Sequence, residues 1–388
     1  MHARPLETEH ASINVRWIRD GDDKIVTGEQ SDIVEHTLVG AIDCDVHPHV
    51  PGTKVLLPFL APHWCEQIAD RSIHSLDSIA YPPNAPLSVR ADFRKTGLGL
   101  ETLQAQLFDQ WGASRAILNC IYGVQLIHNA DMAIAFTRAL NDWIAHEWLA
   151  KDTRLSASIV LPMQDVDACV GEIERCAPNP QFVQALVLAN GEAPLGKRRY
   201  WPIFRALEKH NLPLGVHAGS SYHNPVTSLG WTNYYLEDYA AQSFGFQAQL
   251  ASLVTEGVFV KHPGLKVVLL ESGVSWLPGF IWRLSKFWRG VRREVPWVDR
   301  PPGDIIRDHV RMTITPLDGP PGAQNVEKLI EQIGSEDFLL WSSDYPHWQF
   351  DGDAHMPEGV PARLHEKIAR TNALATYPRI AATCAGAL

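Results

Sequence analysis

After residue 37 one pattern recurs: a short apolar, β-branched run, a polar turn, then a longer stretch of helical periodicity. This alternation constrains the fold more than any other feature of the sequence. The apolar runs fall at residues 38–45, 115–121, 156–161, 182–189, 212–217, 265–271, 310–315 and 338–343. Several are almost continuously apolar, as in Ala185-Leu186-Val187-Leu188 and Lys266-Val267-Val268-Leu269-Leu270. Strands buried on both faces of a parallel sheet read this way. Between the runs, 130–150 carries an apolar stripe at helical spacing (Ala133, Phe136, Leu140, Trp143, Ile144), and 165–176, 200–210, 234–256, 274–293 and 324–333 behave similarly. Eight strands alternating with helices predict an α/β fold, a (β/α)8 TIM barrel, rather than an open doubly wound sheet. No G-x-G-x-x-G follows the first strand, as a dinucleotide-binding sheet would require.

Within this frame residues 1–37, polar and irregular, read as an N-terminal arm, and residues 38–388 as a single barrel domain. The connection 48–114 is far longer than an ordinary βα turn and is rich in Pro and aromatic residues, so it reads as an insertion over the barrel mouth.

Composition narrows the partners. The chain has 388 residues and a formal net charge of −10, and its longest basic run is Lys197-Arg198-Arg199, which argues against nucleic-acid binding. Six scattered cysteines (Cys44, Cys65, Cys120, Cys169, Cys176, Cys384) form no C-x-x-C and read as free thiols of a reducing compartment. The start Met1-His2-Ala3-Arg4-Pro5 carries no apolar signal segment, and no apolar run approaches the ~20 residues of a membrane span. The expectation is a cytoplasmic protein acting on a small-molecule substrate, as a homodimer, with neither nucleic acid nor a membrane as partner.

In an α/β barrel the chemistry sits at the C-terminal ends of the strands. The first run ends Asp43-Cys44-Asp45-Val46-His47-Pro48-His49, and strict alternation would put Asp43, Asp45 and His47 on one face. The fifth run ends at His217, the sixth at Glu271 and the eighth passes into Asp344-Tyr345-Pro346-His347. Imidazoles and carboxylates brought to one rim are the donor set of a divalent transition metal with an open position. Each residue alone has a plain structural explanation: His217 a hydrogen-bonded core histidine, Asp344 a helix cap, Asp45 and His47 a turn before Pro48. Their coincidence at three strand ends favours the metal.

Taken together, Ile42-Asp43-Cys44-Asp45-Val46-His47-Pro48, Gly215-Val216-His217-Ala218-Gly219, Leu270-Glu271-Ser272-Gly273 and Ser342-Ser343-Asp344-Tyr345-Pro346-His347 resemble the amidohydrolase superfamily. More narrowly they resemble its aminocarboxymuconate semialdehyde decarboxylase-like and dihydroxybenzoate decarboxylase-like group. The closing segment Arg370-Thr371-Asn372-Ala373-Leu374-Ala375-Thr376-Tyr377 adds to the likeness, which spans about residues 38–380. The resemblance implies one divalent metal, with zinc first and manganese or iron as alternatives. It would be held by Asp45, His47, His217 and Asp344. An H-x-H pairing of His47 and His49 is the other option on strand one, set aside because His49 follows Pro48, where the strand is ending. Relatives often carry a catalytic His at the position of Glu271, so an imidazole-assisted mechanism is in doubt there.

Glu271, Asp344 and His347 are the catalytic candidates. In one reading Glu271 takes a proton from a metal-bound water; in another it is a carboxylate orienting a ligand imidazole. His262, before strand six, belongs to the opposite rim and is read as structural. Arg90 and Arg94 could hold a substrate carboxylate or form a solvated face, and Tyr222, Trp231, Tyr234, Tyr235 and Trp348 could wall a substrate, bury the insertion or make a subunit contact. Metal-dependent hydrolysis of a small cyclic or aromatic compound is the first functional expectation. Non-oxidative decarboxylation of a hydroxylated aromatic or muconate-like acid is the second, and a silent scaffold barrel the third.

Overall fold

The computed structural model describes residues 38–76, 98–220, 227, 229–347 and 356–385. The expected arm at 1–37 lies outside the described residues, as do Arg90, Arg94, Tyr222 and Trp348. The strands are β1 (Ile42–Val46), β2 (Arg115–Leu118), β3 (Leu155–Val160), β4 (Phe182–Asn190), β5 (Leu214–Ser220), β6 (Val267–Leu270), β7 (Val310–Thr313) and β8 (Leu339–Leu340). They form one sheet in sequence order, every neighbouring pair parallel. β8 has only two residues, yet the chain beyond it closes on β1. Cys44 N donates to Trp341 O (3.1 Å), Asp344 N to Asp45 O (3.1 Å) and His47 N to Tyr345 O (2.7 Å). The seam of the barrel is therefore the place where the candidate ligands of β1 and β8 meet.

The apolar runs become strands because both of their faces are covered. Outward-facing Val216, Val267 and Leu269 are buried with the helical layer. That layer supplies Ile203, Phe204 and Leu207 from the helix Trp201–Lys209, and Val326, Ile330 and Ile333 from Ala323–Ile333, at three- and four-residue spacing. A second apolar cluster, which includes Ile42, Cys44, Ile117, Val268, Leu270 and Leu340, fills the inside. Its floor is the C-terminal segment. Asn372 Nδ2 donates to Leu339 O (2.9 Å), Arg379 Nη1 to Phe182 O (2.9 Å) and Tyr377 Oη to Gln184 Oε1 (3.0 Å). Those partners lie at or near the starts of β8 and β4, so the closing helices plug the face opposite the site.

In the connection between β1 and β2, a 3-10 turn (Thr53–Phe59) and a helix (Pro62–Arg71) place Leu56 and Ile68 in the outer core. Its described end returns to the rim after β2: a Cβ on Gly123 (φ 72°) would lie 2.3 Å from Leu76 O, so glycine is required there. None of the six cysteines forms a disulfide. Among the described residues no helix is long and apolar enough to cross a membrane.

Candidate metal centre

β1 does not alternate strictly. Its pairing with β2 shifts register between Asp43 and Val46, and this bulge separates residues that a regular strand would put on one face. Asp43 takes no part in the ligand groupings. Its Oδ1 accepts from Asp45 N (3.2 Å) and Ser343 N (3.0 Å), and its Oδ2 from Ser343 Oγ (2.6 Å). The expected common face of Asp43, Asp45 and His47 is thus corrected. Asp43 is the brace that ties β1 to the chain after β8, and burial pushes its carboxyl up to about 7 despite those three bonds.

Asp45, His47 and His217 offer ligand atoms all within 4.8 Å of one another, and so do His47, Glu271, Asp344 and His347. His47 Nε2 lies 3.5 Å from Asp45 Oδ1 and 3.0 Å from Asp344 Oδ1. His217 Nε2 lies 3.5 Å from Asp45 Oδ1 and 3.8 Å from Glu271 Oε2. His347 stacks on His47 with ring centroids 4.3 Å apart, and its Nδ1 is 3.1 Å from Asp344 Oδ1. Glu271 and Asp344 both adopt left-handed backbone (φ 53° and 58°), a conformation unfavourable for non-glycine residues that persists where surrounding bonds fix it. Here Glu271 N donates to Thr313 Oγ1 (3.0 Å) and Asp344 N to Asp45 O.

The imidazoles are oriented from behind. His47 Nδ1 is 2.9 Å from Asn119 O and His217 Nδ1 is 2.7 Å from Ala218 O. A carbonyl only accepts, so each Nδ1 carries the proton and each Nε2 presents its lone pair. Those two Nε2 atoms, with Asp45 Oδ2 and Asp344 Oδ2, are buried and have no hydrogen-bond partner. An unmet buried polar atom costs about 1–3 kcal/mol, and four such atoms in two ligand groupings that share His47 call for a partner. A divalent cation is the partner that two imidazole lone pairs and two carboxylates fit.

The electrostatics agree. Burial alone pushes the His217 imidazole down, but Asp45 and Glu271 more than reverse this and take it up to about 10. The field at Nε2 therefore favours positive charge, which a metal supplies in place of a proton. Burial raises Asp344, yet His347 and His47 hold it below the usual carboxylate range. Burial and the Asp344 charge raise Glu271.

His49 is exposed and in neither grouping. His262 sits at the other end of β6 with Nδ1 3.1 Å from Glu208 Oε2. The residue that sequence reasoning missed is Asn119, just past β2. Its Nδ2 donates to Asp45 Oδ1 (2.8 Å) and Cys44 O (3.1 Å), and its Oδ1 accepts from Ser158 Oγ (2.6 Å) and Gln184 Nε2 (3.3 Å). The one available signal was an Asn inside an otherwise apolar run.

An eight-stranded barrel with imidazoles and carboxylates gathered at the C-terminal ends of β1, β5, β6 and β8 defines a class. A family model described as Amidohydrolase matches residues 42–379. The chain belongs to that family and is an enzyme of the amidohydrolase superfamily. Among curated proteins it is similar to the gamma-resorcylate decarboxylase of Rhodococcus jostii (strain RHA1), 27% identical over 313 residues, 72% of this chain and 88% of that protein. It is also similar to the gamma-resorcylate decarboxylase of Rhizobium sp. (strain MTP-10005), 27% identical over 301 residues, 71% and 86% of the two chains. Among solved structures it shares its fold with 2,6-dihydroxybenzoate decarboxylase from Rhizobium (TM-score 0.60, 24% identity, covering 88% of this chain and 99% of that one). The same holds for a dihydroxybenzoic acid decarboxylase from Polaromonas sp. JS666 with bound manganese and 2-nitroresorcinol (TM-score 0.61, 21% identity, 88% and 97%).

Proposed function

We propose that this chain is a metal-dependent, non-oxidative decarboxylase of a hydroxylated aromatic acid. The observation that carries the reading is the set of four partnerless buried donors, Asp45 Oδ2, His47 Nε2, His217 Nε2 and Asp344 Oδ2. The relatives' names favour decarboxylation over the hydrolysis placed first by the sequence. Asp45, His47, His217 and Asp344 hold the metal, and manganese replaces zinc as the first ion to test because a solved relative contains it. When bound, the cation would chelate the substrate carboxylate and its neighbouring hydroxyl oxygen and draw negative charge onto that side.

The reaction breaks the bond between the ring carbon and the carboxylate, leaving its electron pair on the ring carbon, which takes one proton as CO₂ departs. His347 is placed to hold that proton. Its Nδ1 faces the Asp344 carboxylate, it stacks on His47, and its side chain is 27% exposed, so solvent can reload it. The imidazole that Glu271 lacks on β6 is thus supplied from beyond β8. Glu271 sets the field beside His217 and keeps that ligand in place.

The test is CO₂ release from 2,6-dihydroxybenzoate and related hydroxybenzoates after loading with Mn²⁺. The expected result is a stoichiometric phenol product, loss of turnover on chelation and recovery on readdition. Hydrolysis of cyclic amides or lactones with no CO₂ from any hydroxybenzoate would overturn the reading.

A further inference from the structure

A cavity of about 260 Å³ opens on the same rim, among the turns that follow β2, β3 and β4, and shares no residue with the metal-ligand groupings. A 150 Å³ apolar cavity suffices for benzene, so this one has room for a single substituted ring. Much of its wall is apolar: Ile127, Met163, Val187, Leu188 and Leu195 line it, with the buried Tyr200 ring. Leu188 is the β4 partner of His217 in the parallel register, which sets the cavity beside the metal centre, one strand over.

Two side-chain amides, Gln125 and Gln164, carry its unpartnered polar atoms. Gln164 Nε2 donates to Val124 O (3.2 Å) and Ile127 O (2.9 Å), which clasps the turn after β2 and spends its donors. That leaves Gln164 Oε1 buried without a partner, together with both Oε1 and Nε2 of Gln125. Two acceptors and one NH₂ donor in an apolar enclosure match a hydroxyl, which gives one hydrogen bond and accepts another. No Lys or Arg lines the cavity; its remaining polar lining is His128 and the exposed Glu192. A carboxylate entering it would be desolvated with no Lys or Arg to meet it and with the Glu192 carboxylate nearby.

We infer that this cavity is a binding site for a neutral phenol, distinct from the metal centre and selective against the corresponding benzoate. The claim rests on the cavity itself. If the decarboxylase reading also holds, the ligand class is that of the reaction's product, because loss of CO₂ turns a hydroxybenzoate anion into a neutral phenol.

The test is ligand-observed NMR titration with resorcinol and with benzoate, on the metal-loaded protein and on protein stripped with a chelator. The expected result is saturable resorcinol binding that survives chelation, with benzoate at least tenfold weaker in the stripped protein. Gln125→Leu, which keeps the volume and removes the hydrogen-bonding groups, should weaken resorcinol about tenfold. Ala193→Trp, which fills the cavity from a rim position, should abolish the chelator-resistant binding. Resorcinol binding that vanishes on chelation, or that both variants leave unchanged, would overturn the inference, as would equal affinity for benzoate. None of these outcomes depends on CO₂ release, so the two readings fail separately.

Discussion

Asn119 holds two proposed ligands at once, Asp45 through its side-chain Nδ2 and His47 through its backbone carbonyl. All four hydrogen-bonding capacities of its amide are used, so its orientation is fixed by Ser158 and Gln184 below it. Asn119→Ala should therefore weaken metal affinity by about 10–100-fold, read as the Mn²⁺ dissociation constant by chelator competition; affinity within twofold of wild type would show that the contact does nothing for the ion. The two candidate proton carriers separate in the same assay. His347→Asn should lower CO₂ release by about 10²–10⁴-fold with metal content unchanged, whereas Glu271→Gln should stay within about tenfold, because direct chelation of the acid needs no water-activating base. The reverse order would assign proton transfer to Glu271. The proposed ligands Asp45, His47, His217 and Asp344 could be picked out in the sequence because each lies at or just past the end of an apolar run. Asn119 was not, because its importance lies in a contact across 74 positions of chain. The role of Asp43 was misread because a bulge leaves no mark in residue types.

At the scale of elements, all eight apolar runs are strands, with ends moved by a few residues. The helices at Pro62–Arg71 and Pro302–His309 went unread for different reasons. The first buries only Ile68, so it carries no stripe, and the second has just eight residues and begins among prolines. What joins these elements is partly polar. Asn141, on the helix Ala130–Ile144, accepts from Val160 N (3.0 Å) and donates to Val160 O (3.0 Å) at the end of β3, and donates to Glu172 Oε1 (2.8 Å) on the helix Val166–Cys176. Arg175 closes the network with two bonds to the Glu172 carboxylate (2.9 and 2.6 Å). Burial raises the Glu172 carboxyl, but Arg175 and Asn141 outweigh it and the net shift is downward from 4.5. Its stabilising contribution is therefore fully present above pH ~4.5 and is lost as pH falls through the lower folded value. Glu172→Ala should cost about 2–3 kcal/mol at neutral pH, seen as a lower urea midpoint, and the gap from wild type should narrow in acid. A gap that is constant down to pH 3 would assign the loss to packing rather than to the ion pair.

For the whole molecule the open question is what covers its apolar surface. Apart from Val39, every exposed large hydrophobic side chain among the described residues lies between Leu229 and Trp297. Trp231, Tyr234, Leu236 and Phe244 come from the chain after β5, and Trp282, Phe287 and Val291 from the helix Leu277–Val291. The outer surface of two successive βα units thus carries what the rest of the barrel hides. The Arg283 guanidinium lies 4.9 Å over the Phe287 ring, and aromatic residues with arginine are the composition enriched at subunit interfaces. This favours the subunit-contact reading of Trp231 and Tyr234 over a substrate wall, since their exposed rings belong to the same sector as Trp282 and Phe287 on a helix that flanks the barrel. We propose that this sector joins two copies of the chain. Light scattering after gel filtration should give about twice the 43.3 kDa chain mass, and the double substitution Trp282→Glu with Phe287→Glu should return a monomer, because burying unpaired carboxylates in an apolar contact costs several kcal/mol. The proposed metal ligands Asp45, His47, His217 and Asp344 all belong to one chain, so the monomeric variant should still bind Mn²⁺ with wild-type stoichiometry. A wild-type protein that stays monomeric at tens of micromolar would remove the dimer and leave the exposed sector to another partner.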